Sequence, residues 1–92
     1  MESELIYLLR QAILSAVADS FGPTTFERAM RHVELCEADV AAALGQWREL
    51  IRFGYLEPLT GSGGRYVKLS GRGTAGLERR SDPFLWGASA LR

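Results

Sequence analysis

The 92-residue chain is long enough for one hydrophobic core and too short for a second, so we expect a single domain over residues 1–92. Its composition, 47% hydrophobic and 24% charged, is that of an ordinary globular protein, and no run of about eighteen apolar residues predicts a membrane span. The formal net charge of zero argues mildly against a uniformly basic, nucleic-acid-binding surface.

The charge is unevenly distributed along the chain. Residues 1–60 hold five arginines and nine carboxylates, a net charge of −4, whereas residues 61–92 hold six cations and two carboxylates, a net charge of +4. A basic segment within a neutral chain is typical of a local surface that faces a polyanion. Two oppositely charged patches could equally attract each other between subunits.

The expected compartment is the cytoplasm. The first four residues include two glutamates and no cation, whereas a secretory signal begins with a basic segment. The single cysteine, Cys36, cannot form an internal disulfide, in keeping with a reducing compartment.

The first predicted helix covers residues 2–20 and has apolar residues on two sides. The broad apolar face, which we expect to be buried, comprises Leu5, Leu8, Leu9, Ala12, Ile13, Ala16 and Val17. A narrower stripe of Tyr7, Leu14 and Phe21 lies roughly opposite, where a surface helix of a small monomer is polar. Two covers fit this stripe equally well: the apolar tail folding back from the same chain, or a homodimer interface built on this helix. The tail residues Phe84, Leu85 and Trp86 could be either core residues or dimer contacts.

The second predicted helix covers residues 24–35. Thr24 and Glu27 have the spacing of a capping box, and Phe26, Ala29, Met30 and Val33 supply the buried face, which leaves Arg28, Arg31 and His32 toward solvent or a partner. No glycine or proline separates this helix from the next, so one long helix is the alternative. We predict a turn near residues 35–37 because Leu35 falls off the apolar face.

The third predicted helix covers residues 37–53 and leads into a hairpin at residues 55–69. Val40, Leu44, Trp47 and Ile51 share its buried face, and Gly54 ends it in a left-handed conformation. Pro58 suits a sheet edge, and the turn Gly61-Ser62-Gly63-Gly64 tolerates positive φ. In the second strand Val67 and Leu69 alternate with Tyr66 and Lys68.

The remaining residues predict a short helix or tail. Ser70 can cap a helix that three glycines weaken, Ser81-Asp82-Pro83 signals a turn, and residues 81–92 form an apolar tail.

Residues 24–77 resemble a winged helix-turn-helix domain. The resemblance lies in the helix end Leu50-Ile51-Arg52-Phe53-Gly54-Tyr55-Leu56, the glycine-rich turn, and Val67-Lys68-Leu69-Ser70-Gly71-Arg72-Gly73, which returns to a helix. It implies an α+β fold with a three-helix core and a two-stranded wing. It also implies a transcription-regulator-like protein that binds double-stranded DNA, or a winged-helix module that binds a protein partner.

The resemblance implies that the third helix enters the major groove and that the wing reaches the backbone. The DNA-contact candidates are cations plus one amide: Arg65, Lys68, Arg72, Arg48, Arg52, Gln46, Arg28 and Arg31. Each cation could equally be a solvated surface charge. Away from the apolar face the third helix has Ala38, Asp39, Ala42, Gln46 and Glu49, of which Gln46 alone suits a base edge, so sequence-specific readout is not expected.

Catalysis, metals and cofactors are not expected. His32 and Cys36 are four residues apart, but two ligands do not make a zinc site. The glycine-rich turn lacks the Gly-Lys-Ser/Thr ending of a phosphate-binding loop. The alternative to DNA binding is a protein interaction through the first-helix stripe or through the small residues Ala38, Ala41, Ala42 and Gly45.

Overall fold

The computed structural model describes residues 2–33 and 37–87, with side chains for residues 4–33 and 39–87. The coarse prediction of an α+β fold is confirmed. The elements in chain order are α1 (Glu2–Ala18), α2 (Phe26–Met30), α3 (Glu37–Arg52), β1 (Leu56–Pro58), β2 (Val67–Leu69), α4 (Gly71–Glu78) and α5 (Pro83–Trp86). Within these ranges, no helix has the length and apolar character needed to cross a bilayer.

Helix α1 lies at the centre of the fold and contacts every other helix as well as β2. Leu9, Ile13, Ala16 and Val17 are buried, as predicted, but the rest of the helix differs from the prediction. Leu14, which we predicted on the stripe opposite the core, is fully buried, whereas Leu5 is 42% and Leu8 61% exposed. Leu14 is buried because α5 packs against α1 and brings the fully buried Leu85 into the core, which is the first of the two covers predicted for the stripe.

Helix α2 is shorter than predicted and starts later. Thr25, not Thr24, caps it, because the Thr25 hydroxyl accepts a hydrogen bond from the Arg28 amide. The backbone of Thr24 is instead paired with Val67, with two N–H···O bonds of 2.9 Å. The helix ends at Met30 and not at residue 35, and turns at residues 31–33 separate it from α3, so two helices are confirmed. Most of the predicted break at 35–37 lies outside the described residues.

Helix α3 turns a different face to the core than predicted. Ala43 and Leu50 are fully buried beside Trp47, whereas Val40 is 42% exposed and Leu44 is half-buried. A small residue at position 43 carries little hydrophobic signal, although its size suits a close approach to a neighbouring element.

The end of α3 was predicted correctly. Gly54 has φ +83°, its amide donates to the Ile51 carbonyl, and the Tyr55 amide donates to the Leu50 carbonyl at 2.8 Å. These two bonds are the Schellman pattern, which satisfies carbonyls that the helix leaves open. The backbone is thereby redirected into β1.

The two strands pair antiparallel, with Leu56 opposite Leu69 and Pro58 opposite Val67. The predicted alternation is confirmed, since Val67 is buried and Lys68 is exposed. Because β2 also pairs with Thr24, β1 is the edge strand, the position to which proline is suited.

Helix α4 and helix α5 close the fold. The Ser70 hydroxyl caps α4 by accepting from the Gly73 amide at 3.0 Å, as predicted, and Asp82 caps α5. A Cβ at Gly73 would collide with the Tyr55 carbonyl, and one at Gly76 with Leu85. The glycines that weaken α4 as an isolated helix therefore allow it to pack closely here. The predicted tail forms the short α5, and residues 88–92 lie outside the described residues.

Candidate nucleic-acid interface

The outward side of α3 is a narrow, positively charged face that we call the α3 outer face. Its residues are separated by three or four positions, so they share one side of the helix, and all are exposed: Ala41, Gly45, Arg48 and Arg52. Ala42, also exposed, flanks them. Small side chains here allow another molecule to approach the helix backbone closely, while two guanidinium groups lie toward its carboxyl end.

Of the residues predicted to face outward on α3, Ala42 is exposed, but the polar ones are not. Asp39, Gln46 and Glu49 are all half-buried, because they lie to the sides of the outer face or toward α1. Between residues 39 and 52, where side chains are described, the fully exposed positions therefore include two arginines and no carboxylate. The carboxylates of α3 whose side chains are described, those of Asp39 and Glu49, therefore lie beside this face.

Arg10 on α1 holds Gln46 in place. Its Nε donates to Gln46 Oε1 at 2.7 Å, and its Nη1 donates to the Phe84 carbonyl at 2.7 Å. Burial lowers the pKa of Arg10, although Tyr7 and Glu49 act in the opposite direction. The amide oxygen of Gln46 is thus engaged within the chain and is not presented to a base edge.

A second basic surface joins α2 to the wing. One groove of about 340 Å³ is lined by Phe21, Arg28, Arg31 and His32, among others. A second groove, under the hairpin turn, includes Leu59, Arg65 and Tyr66 in its lining, and Pro23 lines both grooves. We define the α2–wing surface as Phe21, Arg28, Arg31, Arg65 and Tyr66.

The other predicted wing cation is partly neutralised. Lys68 Nζ lies 3.8 Å from Glu57 Oε2, and both side chains are more than half exposed. An exposed pair of this kind contributes at most about 1 kcal/mol, so a stronger anion could displace Glu57.

Arg72 belongs to a stack of side chains contributed by α1, α4, α5 and the residue before β1. Its guanidinium lies 4.7 Å from the centre of the Tyr55 ring, and that ring stacks on Phe84 at 5.0 Å with an 8° interplanar angle. The Arg10 guanidinium lies 3.8 Å from the centre of the Phe84 ring. We call Arg10, Phe84, Tyr55 and Arg72 the aromatic stack, in which cation–π contacts involve both rings.

The Tyr55 hydroxyl donates to Asp82 Oδ2 at 2.5 Å. Burial and this hydrogen bond raise the pKa of Tyr55, while Arg72 opposes the rise. Arg72, one of the predicted phosphate-binding cations, is therefore engaged in a structural contact with the Tyr55 ring. Sequence reasoning did not identify Tyr55, Arg10 and Asp82 as a group, since they lie far apart in the chain.

The predicted dimer residues are mostly covered within the chain. Leu14 and Leu85 are fully buried, the Trp86 indole donates to the Gly76 carbonyl at 2.7 Å, and Phe84 is in the aromatic stack. The Tyr7 ring lies where a Cβ at Gly87 would be. Phe21, by contrast, is fully exposed. The segment at residues 84–86 thus folds back onto α1, and a homodimer stays a prediction.

A metal site finds no further support in the described residues, which contain no group of three or more His, Cys, Asp or Glu side chains placed to hold an ion. Cys36, which was considered with His32, lies outside those residues.

Comparison with known proteins gives no match: neither a protein-family model, nor a curated protein, nor a solved structure matches the chain. The proposed function is therefore based on the geometry and the charge of the surfaces described above.

Proposed function

We propose that this chain is a winged helix-turn-helix protein, transcription-regulator-like, which binds the backbone of double-stranded DNA. Three features support the fold assignment: a helix followed by a short bridge strand at Thr24, two further helices, and a hairpin that pairs with that bridge. In such a domain the third helix and the wing approach the duplex. The cytoplasmic location expected from the sequence belongs to the same proposal.

The observation that carries the proposal is the α3 outer face. An exposed carboxylate beside DNA phosphates would weaken binding, but the described part of this face contains none, and Arg48 and Arg52 lie on it. Ala41 and Gly45 add little bulk, so the helix can lie deep in a groove. The α2–wing surface has three further arginines that can contact phosphates.

This arrangement favours contacts with the backbone over reading of base sequence. Gln46, the amide expected to meet a base, is bonded to Arg10. Binding should therefore depend strongly on salt and weakly on DNA sequence.

The test is a fluorescence-anisotropy titration of mixed-sequence duplex DNA at about 50 mM and about 200 mM salt. We expect binding that weakens steeply with salt. The double variant Arg48→Ala/Arg52→Ala should reduce the slope of log K against log salt by about 1.8, or about 0.9 for each lost phosphate contact. The matched control Arg79→Ala/Arg80→Ala removes the same charge from two exposed positions just after α4 and should retain the wild-type slope.

Equal slopes for the two double variants would remove α3 from the interface. A wild-type chain that binds no duplex at about 50 mM salt would overturn the proposal.

A protein-interaction module is the second candidate, because Leu5 and Leu8 are 42% and 61% exposed on α1, one turn apart. Adjacent exposed leucines are typical of a surface that an apolar partner covers. The same titration distinguishes the two candidate functions, because a protein-interaction module is expected not to bind duplex DNA at low salt.

A further inference from the structure

We infer that the α2–wing surface binds single-stranded nucleic acid, with bases stacked on Phe21 and Tyr66 and phosphates held by Arg28, Arg31 and Arg65. This inference rests on the proposed function insofar as the chain binds nucleic acid. It assigns a different surface from the α3 outer face and a different form of the polymer.

Phe21 is the strongest indication of a ligand. It is fully exposed, at 107% relative accessibility, in the loop between α1 and α2. A phenylalanine contributes to stability mainly by burial, so this ring has almost no role in the core. It lines the same groove as Arg28 and Arg31, and it is therefore an aromatic face beside two cations.

Tyr66 supplies a second aromatic group from the wing. The Leu59 amide donates to the Tyr66 carbonyl at 2.9 Å, so the backbone at this position is fixed across the hairpin. The side chain is 37% exposed and lines the wing groove next to Arg65, while the following residue, Val67, is buried. The hairpin thus presents an aromatic ring and a guanidinium side by side.

The charge of the surface suits a polyanion. Its two grooves are lined by three arginines and one carboxylate, that of Asp19, which leaves a net charge of +2. Among the side chains that the structure describes, the ion pair found is Lys68 with Glu57, which leaves all three arginines available. Pro23 lines both grooves, so a ligand can follow one path from α2 to the wing.

The aromatic groups favour a single strand over a duplex. In a duplex the faces of the bases are covered by their neighbours, whereas unstacked bases are available to protein side chains. Aromatic platforms along a basic groove are the usual means of binding single strands without sequence preference. An acidic peptide would use the arginines but would leave Phe21 and Tyr66 without a role.

The experiment measures binding of a labelled oligo-thymidine of about 15 nucleotides, and of a blunt duplex of equal length, to the full chain. Phe21→Ala and Tyr66→Ala should each weaken oligo-thymidine binding by about 5- to 150-fold without changing its salt slope, because stacking releases no counterions. Phe21→Leu should lose much of the same affinity, since it keeps an apolar group but no aromatic face.

Two further variants separate charge from stacking. Arg28→Ala/Arg31→Ala should reduce the single-strand salt slope by about 1.4, or about 0.7 per contact. Leu8→Ala removes an exposed apolar side chain outside the grooves and should leave binding unchanged. Since Phe21 is exposed, its variants should keep their melting temperatures within about 3 °C of wild type, so lost binding is not lost folding.

Binding of the two polymers distinguishes a failure of this inference from a failure of the proposed function. If the duplex binds with the expected dependence on Arg48 and Arg52 while Phe21→Ala has no effect on oligo-thymidine, the inference is overturned and the proposed function stands. If neither polymer binds, both are overturned. Displacement of oligo-thymidine by an equal charge of poly-glutamate would show attraction by charge alone and would also overturn the inference.

Discussion

Two sides of this small domain differ in how their polar and aromatic side chains are used. On the side where α4 and α5 pack against α1, aromatic rings and cations are engaged with one another in the aromatic stack. On the α2–wing surface, the same types of side chain are exposed to solvent. The difference indicates that the first side stabilises the fold and that the second is available for binding.

Backbone geometry follows the same division. Gly73 and Gly76 on α4 are buried where another residue would collide with Tyr55 or Leu85. Gly61, Gly63 and Gly64 in the wing have positive φ and open space where a Cβ would lie. The first pair allows close packing, whereas the wing glycines allow the chain to turn.

The largest effect should come from removing the centre of the packed side. Leu85→Ala deletes a fully buried side chain and should lower the free energy of unfolding by about 2–5 kcal/mol. Leu8→Ala, on the same supporting helix but 61% exposed, should change it by less than about 0.5 kcal/mol. Urea denaturation measures both, and equal effects would show that α5 is not part of the core.

A smaller effect should separate two glycines in helices. Gly73→Ala places a methyl group against the Tyr55 carbonyl and should lower the free energy of unfolding by about 1–3 kcal/mol. Gly45→Ala lies in the interior of α3 with open space around it and should raise this free energy by about 0.5–1 kcal/mol. Thermal melting measures both variants, and the prediction is wrong if both substitutions shift the melting temperature in the same direction.

The smallest effect should appear at high pH. Because the pKa of Tyr55 is raised in the folded state, the folded chain retains the phenol proton at a pH where the unfolded chain has lost it. The stabilisation is complete below about pH 10 and is lost as pH rises through the higher, folded-state pKa. Tyr55→Phe should remove this loss, and it should lower stability at neutral pH because the hydrogen bond to Asp82 is gone.

Urea denaturation at several values of pH measures this dependence. If the free energy of unfolding of Tyr55→Phe falls at high pH in parallel with that of wild type, Tyr55 in the aromatic stack is not the origin of the fall.

Local signals in the sequence predicted the parts of the fold that depend on neighbouring residues. Residues only a few positions apart determine three such features: the end of α3 at Gly54, the hairpin turn and the Ser70 cap. The buried faces of α1 and α3 were predicted less well. Leu14 and Ala43 are buried by elements distant in sequence, and periodicity alone does not record which side of a helix those elements reach. Thr24 likewise pairs with Val67, a contact that competes with its capping role.

The candidate site was predictable as a set of cations but not as a surface. Arg28, Arg31 and Arg65 can be identified as basic residues, yet the two grooves that they line meet at Pro23, next to the residue that pairs with β2. Arg72 has the same residue type but stacks on Tyr55. Which arginine is engaged in the fold is therefore a tertiary property.

The packing of Leu85 on α1 also bears on how the protein is made. Gln11 donates a hydrogen bond to the Leu85 carbonyl across 74 positions of sequence. During synthesis, the apolar side of α1 that Leu85 covers stays open until nearly all of the described chain has been translated. Until then this side of α1 lacks its cover, and the last part of the core closes only after α5 leaves the ribosome.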